Sequence, residues 1–379
     1  MRTTIGYLLL AVCASAGIAA AEVASDKPAA IVVFPKLQVS TSASARVDTL
    51  IELSNTSRTE PALAHCFYLD AGSHCTTTGA PCRRSAECGG GSCVQGWTET
   101  DFQVHLTARQ PLAWVITDGL GSMQHPVPID GRHRNGPPDP TDSTHKPQTN
   151  AGTLVPAVGT PFTGELKCVV VGRDDRPSEK NVLVGRATIT RIEADGGLDV
   201  EVYNAIGVQA ITGTNNGDGR LRLGGDGAEY EGCPNTLIVN HFFDFAVDPV
   251  HPDSHITSAL TLVPCSEDLI SGDTRFGSTV ATILVYNEFE QRLSTSVVVD
   301  CLFESQLSLI DTTQPQRSAF SVGTGGTLVG QMRIRPTTHG LLAVLSEHHT
   351  AKKDGHVASA MVNVDQQGRR GAGDEIRFR

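Results

Sequence analysis

Histidine and aspartate side chains recur in two stretches of the sequence, and these residue types can bind a metal. Imidazole and carboxylate groups are ligands of zinc and copper. The candidate ligands are His241, Asp244, His251, His255, His339, His348 and His349. Their spacing matches no established metal motif. In the alternative interpretation they are surface and turn residues that do not converge on one site. Polar neighbours such as Lys352 and Lys353 favour this interpretation.

A calcium loop is the second candidate cofactor site. Residues 214–219 alternate oxygen-bearing side chains before a glycine, as calcium loops do. Gly225 stands where such a loop has its acidic twelfth residue, so a turn-rich linker explains the stretch better. We therefore expect no cofactor, with calcium or a transition metal as the alternatives.

Catalytic motifs are absent from the sequence. It has no G-x-S-x-G elbow, no H-E-x-x-H pair, no phosphate loop and no dinucleotide glycine pattern opening a helix. Catalytic groups can nevertheless come from separate loops of a β-sandwich and leave no motif. The sequence therefore favours a protein without catalytic activity, and a secreted hydrolase with loop-borne His and Asp residues is one alternative.

Cysteine chemistry points to disulfides. Setting Cys13 aside, nine of the 10 cysteines remain, so one thiol is unpaired or pairs with another chain. Four of them, Cys75, Cys82, Cys88 and Cys93, fall in a stretch with almost no apolar residue, which two local disulfides would hold. A zinc site is the rival interpretation. The spacing lacks C-x2-C pairs and the expected compartment is oxidising, and both weigh against zinc.

The other five cysteines admit several pairings. We predict a Cys265–Cys301 disulfide, because these residues are expected on neighbouring or facing strands. Cys66 then pairs with Cys168 or Cys233, which leaves one of the three over. Sequence alone leaves this connectivity open.

Export is predicted by the first residues. Arg2 is followed by an apolar stretch and by Ala19-Ala20-Ala21, so residues 1–21 read as a signal peptide. Removing Arg2 changes the formal net charge from -11 to about -12. This acidic balance argues against a nucleic-acid partner. No later segment has the length and apolarity of a membrane span, so we predict a secreted or cell-surface location, with the periplasm as an alternative.

Strand patterns dominate the chain, and these strands must position the candidate histidine, aspartate and cysteine residues. Short runs rich in Val, Ile and Thr are broken by Gly, Pro, Asn and Asp, and no long segment has helical period. Few runs are separated by a stretch that could form a crossover helix, so the sheets should be mainly antiparallel. The fold class we predict is all-β, with two tandem antiparallel Ig-like β-sandwich domains and a small disulfide-rich insert.

The two domains are expected to arise from a diverged internal duplication, since landmarks of the first half recur in order in the second. Val33-Phe34-Pro35 corresponds to Leu262-Val263-Pro264, and Phe162-Thr163-Gly164 corresponds to Leu328-Val329-Gly330. The predicted organisation is a first domain at 28–212 with a Cys-rich insert at 71–96 and a Pro/Gly-rich insert at 119–159, a connector with a bridging strand at 213–256, and a second domain at 257–379.

Runs such as Val33-Phe34-Pro35-Lys36-Leu37 and Tyr286-Asn287-Glu288-Phe289-Glu290 resemble those of secreted, Cys-insert-bearing β-sandwich proteins of environmental bacteria. The resemblance implies export and fold, and it carries over no activity and no site residues. We therefore expect a structural or interaction protein, an adhesion or fibre component. Its expected partner is a protein or a cell surface, and a second copy of the same chain is one candidate partner. A glycan- or metal-binding module is the other alternative.

Overall fold

The computed structural model describes residues 23–42, 45–78, 82, 85–96, 98–120, 153–310, 319–323, 326, 328–371 and 373–378. The predicted signal peptide, 1–21, and most of the predicted insert 119–159 lie outside these ranges. Within them, no helix has the length and apolar character needed to cross a membrane.

The described chain is all-β, with only two short 3-10 helices, Ser85–Cys88 and Leu307–Leu309. The first twelve strands are β1 Val23–Ala24, β2 Ile31–Thr41, β3 Ala45–Asn55, β4 Ala62–Asp70, β5 Ser73–Cys75, β6 Cys93–Gln95, β7 Thr98–Leu106, β8 Pro111–Val115, β9 Phe162–Val171, β10 Leu183–Glu193, β11 Leu198–Asn204 and β12 Ile206–Val208. The others are β13 Arg220–Leu223, β14 Pro234–Phe242, β15 Ala246–Val247, β16 Ser254–Pro264, β17 Glu267–Asp268, β18 Thr279–Asn287, β19 Arg292–Val299, β20 Phe303–Gln306, β21 Val329–Pro336, β22 Leu341–Ala351, β23 Val357–Asn363, β24 Asp365–Arg369 and β25 Asp374–Arg377.

The first half of the chain forms one antiparallel sheet that folds over its own core. One layer has the order β1-β12-β2-β9-β4-β7, and the other has β11-β10-β3-β8. Strand β2 belongs to both layers, because Ser40 and Thr41 at its end pair with β3. Alternate side chains of both layers, such as Phe34, Ile51 and Trp114, fill the core between them.

Strands β2, β4 and β9 are buried on both faces. Their second face lies in a separate cluster that we call the junction core, with Val33, Phe67 and Val169 on one side. The second half supplies the other side, including Leu342 and Ile376. Continuous apolar runs are typical of strands covered on both faces.

The second half is a sandwich of two five-stranded sheets. One has the order β19-β18-β21-β14-β24, and the other has β15-β16-β22-β23, with β20 also paired to β16. Its core includes Leu260, Ile283 and Met332, which come from the two sheets. The three-stranded sheet β13-β25-β17 contributes Leu221 and Ile376 to the junction core.

The expected all-β fold with antiparallel sheets is confirmed, since every pairing between named strands except β17–β25 is antiparallel. Strand β14 falls inside the predicted connector 213–256, and the structure places it within a sheet of the second sandwich. The tandem Ig-like duplication is not confirmed. Under the landmark alignment β2 and β9 correspond to β16 and β21, and only the first pair is hydrogen-bonded.

The disulfides lie at three places in the fold. Cys66–Cys168 joins directly opposed residues of β4 and β9, with Cα atoms 4.0 Å apart. The Cys-rich insert holds two local disulfides, as expected, and these are Cys75–Cys88 and Cys82–Cys93.

The predicted Cys265–Cys301 disulfide is wrong. Cys265 pairs with Cys233, and Cys301 is a buried free thiol. The reason is the position of β14. Because this strand belongs to the second sandwich, Cys233 at its start lies beside Cys265 at the end of β16.

Peptide mapping of the unreduced protein, with thiols blocked by alkylation before digestion, should recover linked peptides for these four disulfides. Denaturation in alkylating reagent should label Cys301, because this thiol is buried in the native chain. Recovery of a linked Cys265–Cys301 peptide as the main product contradicts the assignment. Reduced and remapped protein serves as the control for chance co-elution.

Candidate functional site

A polar cavity of about 120 Å³ lies where the two halves of the chain meet. Strand β11 of the first half runs beside β23 of the second, and we call this contact the seam. The seam is held by Asp199–Ser359 and Asn204–Asn363 hydrogen bonds. The residues that line this seam cavity are Lys36, Gln38, Val47, Ile189, Arg191, Asp199, Glu201, Glu304 and His348.

Lys36 enters the cavity from an irregular part of β2. The register between β2 and β9 shifts between Phe34 and Leu37, and the intervening Pro35 has no N–H to donate. The hydroxyl of Tyr203 replaces the strand-to-strand hydrogen bonds that the backbone of Lys36 lacks there. It accepts a hydrogen bond from Lys36 N at 3.1 Å and donates one to Lys36 O at 2.5 Å. The bulged backbone is therefore satisfied inside the protein.

The Lys36 ammonium connects the two halves. Its Nζ atom donates to Ser346 Oγ at 2.9 Å and lies 3.1 Å from Glu304 Oε1, and both of these residues belong to the second half. Glu201 Oε2 lies 3.9 Å away on the first half. The Lys36 side chain is only 5% exposed, so these partners are what makes burial of its charge possible.

Glu201 lines the cavity and has one buried acceptor atom without a donor. Burial raises the pKa of Glu201, and the nearby Lys36 charge opposes that rise. Its Oε1 atom is buried and accepts no hydrogen bond from any residue that the structure describes. His348 Nδ1 lies 3.4 Å from this atom.

His348 is neutral at physiological pH. Burial, together with the positive charges of Lys36 and Arg191, lowers its pKa to about 4. Ser359 Oγ donates its proton to Asp199 Oδ2, so it can only accept from His348 Nδ1, which lies 2.8 Å away. The ring therefore carries its proton on Nδ1, and Nε2 is left as an acceptor.

A second buried ionic cluster lies between the halves. Lys167 on β9 donates to Glu165 Oε1 at 2.8 Å and to Glu267 of the second half. All three side chains are buried, and burial raises the pKa of Glu165 well above its ordinary value. Because Glu267 lies on β17, the cluster joins the first sandwich to the three-stranded sheet β13-β25-β17.

The candidate metal ligands do not converge on one centre. His348 lies in the seam cavity, His339 contacts Ser266, and His349 Nδ1 lies 2.7 Å from Asp248. Asp244 accepts backbone hydrogen bonds, and the His255 ring lies beside Phe245. Among the described residues, the groups of three or more ligand atoms within 4.8 Å of one another include no histidine.

His241 lies in an apolar pocket on β14, close to the rings of Phe243 and Phe320. Its Nδ1 atom contacts the Phe242 carbonyl at 2.9 Å, and burial lowers its pKa to about 4. His251 is held by a different contact, since its backbone N–H donates to Asp248. Neither residue joins another candidate ligand.

The stretch considered as a calcium loop directs its amides at a carboxylate. Gly213, Thr214 and Asn215 donate their N–H groups to Glu179 at 2.6–2.8 Å. These bonds lower the pKa of Glu179. A loop whose N–H groups already bind a carboxylate resembles an anion-binding turn more than a calcium site.

Ser266, His339 and Asp374 lie together, which bears on the hydrolase alternative. Ser266 Oγ is 2.9 Å from His339 Nδ1 and donates to Asp374 at 3.0 Å. In a catalytic triad the carboxylate bonds the histidine nitrogen that faces away from the serine. Here the carboxylate accepts from the serine itself, and the same hydroxyl accepts from Glu375 N. This arrangement holds the chain in place and does not activate a nucleophile.

The outer side of the seam has several exposed apolar side chains. On β11, Leu198 is 67% exposed, and Val200 and Val202 are exposed on the same face. Neighbouring β10 and β23 extend this surface. We define the seam surface by its exposed apolar residues Ile192, Leu198, Val200, Val202, Ala358, Ala360 and Val362.

Comparisons with known proteins add little to this description. No family model matches the chain, and no curated protein matches it. One solved structure, the crystal structure of Thermotoga maritima 1070, is similar over 37% of this chain and 98% of that chain, with a TM-score of 0.25 and 7% identity. A likeness of this size supports no statement about fold or activity.

Removing the buried Lys167 charge should strongly destabilise the protein. Lys167→Met leaves Glu165 and Glu267 buried without their cation, which should lower the free energy of unfolding by about 3–5 kcal/mol. Urea denaturation measures the change. Lys180→Met is the control, since Lys180 forms an exposed pair with Glu60 and its loss should change the stability far less. Equal losses in the two variants contradict the structural role of Lys167.

Glu99 should make stability depend on pH. Burial, with the Asp101 carboxylate, raises its pKa from 4.5 to about 7. The folded state therefore binds this proton more tightly, so the Glu99 contribution to stability is lost as pH rises from 4.5 to about 7.

Denaturation of Glu99→Gln across that window tests this contribution. Relative to wild type, the variant should gain stability with rising pH and then level off. A Glu99→Gln curve that runs parallel to wild type would falsify the assignment.

Proposed function

We propose that this chain is a secreted, non-catalytic interaction protein that binds a protein partner through the seam surface. The observation that carries the proposal is the exposed apolar face formed by three strands lying side by side, β10, β11 and β23. Exposed apolar residues grouped on neighbouring strands are typical of protein interaction sites, whereas single exposed apolar residues are common everywhere.

The chemistry of the chain supports an extracellular location for this role. Four disulfides in the described residues fit an oxidising compartment. The predicted signal peptide, residues 1–21, provides the export route. Adhesion or assembly into an extracellular fibre are the activities that such a surface serves.

Rigidity of the seam also favours a binding role. Asp199 accepts two hydrogen bonds from Ser359, and the amide side chain of Asn363 bonds both backbone groups of Asn204. These contacts hold β11 and β23 in one arrangement. A preformed surface loses less conformational entropy on binding than a mobile one.

Charge placed in the seam surface should abolish the interaction. Val200→Lys combined with Val202→Lys should remove concentration-dependent association in sedimentation velocity, or binding of labelled protein to the producing cells. Val298→Lys, at an exposed valine of β19 away from the seam, should leave both unchanged. A wild-type protein that stays monomeric and binds no cell surface overturns the proposal, as does equal loss in the control.

A further inference from the structure

We propose that the seam cavity binds a neutral polyhydroxyl ligand, a polyol or one end of a sugar, with its hydroxyl groups hydrogen-bonded to Glu201. This site goes beyond the proposed function, because it lies on the inner side of β11 and the seam surface lies on the outer side. The two can be tested separately.

The first support is an acceptor without a donor. Glu201 lines the cavity and is 7% exposed, and its buried Oε1 atom receives no hydrogen bond from any described residue. A buried carboxylate oxygen left without a hydrogen bond is costly, so such atoms usually bind a donor from elsewhere. A hydroxyl group supplies one.

The second support is the charge balance of the cavity wall. Lys36 and Arg191 are positive, Asp199, Glu201 and Glu304 are negative, and His348 is neutral. A metal cation bound to Glu201 would lie near the Lys36 ammonium, and an anion would meet three carboxylates. A neutral ligand meets neither repulsion.

The third support is the mixture of hydrogen-bonding groups. Among the lining residues, the Arg191 guanidinium can donate, whereas the Glu201 carboxylate and His348 Nε2 can accept. A hydroxyl group both donates and accepts, so adjacent hydroxyls match such a wall. The volume, about 120 Å³, is of the order of a cavity known to enclose one benzene molecule, roughly 150 Å³. It therefore suits a small polyol or part of one sugar ring.

Ligand-observed NMR on the full mature chain tests the proposal. The probes are glycerol, erythritol and the methyl glycosides of glucose, galactose and mannose, with glycine betaine, inorganic phosphate and Zn²⁺ as charged comparisons. We expect saturable binding of at least one neutral probe. Glu201→Gln should weaken that binding about tenfold, and Arg191→Met should weaken it too. Glu52→Gln, on the opposite face of the same layer, should bind as wild type does.

Three results overturn the proposal. They are the absence of saturable binding by every neutral probe, binding that Glu201→Gln and Arg191→Met leave unchanged, and binding of only the charged probes. Circular dichroism of each variant checks that it is folded, and Arg191→Met provides a second reading if Glu201→Gln unfolds, because Arg191 is 38% exposed. Association of Val200→Lys/Val202→Lys is a separate measurement, so failure of the proposed function does not affect this test.

Discussion

Burial of one layer on both faces is the constraint on which the rest of this fold depends. Strands β2, β4 and β9 pack one face into the first sandwich and the other into the junction core. A layer with two apolar faces cannot end at solvent, so the second half must cover it. That requirement explains why β25, near the end of the described chain, returns to pair with β13 and β17 and seals the junction.

Two buried lysines set how the halves dock. Lys167 reaches Glu267, and Lys36 reaches Ser346 and Glu304, so each lysine of the first half finds partners on the second. Apolar packing alone tolerates sliding, whereas a buried charge that loses its partner is strongly unfavourable. The ionic contacts therefore favour one relative position of the two halves, and the apolar junction core supplies most of the stabilisation in that position.

Local patterns in the sequence predicted the strands and the two disulfides of the insert, because each depends on residues close in the chain. The scarcity of stretches that could form crossover helices predicted the antiparallel sheets, although their strand pairs, such as β3 and β10, are far apart in the sequence. The junction depends on residues far apart in the chain, and the sequence marks only the strands that it buries. Ile31–Phe34 is an unbroken apolar run, which indicates burial on both faces, and Lys167 interrupts a similar run in β9. Histidine content drew attention to metal binding, yet only His348 lines the cavity.

The seam cavity and the seam surface both follow from the alternation of one strand. Successive side chains of β11 point to opposite faces, so Asp199 and Glu201 line the cavity while Leu198, Val200 and Val202 face outward. Asp199 also holds Ser359 of the second half. The two proposed sites therefore share one structural origin, and the hydrogen bonds that hold β11 against β23 fix both faces of the strand in one arrangement.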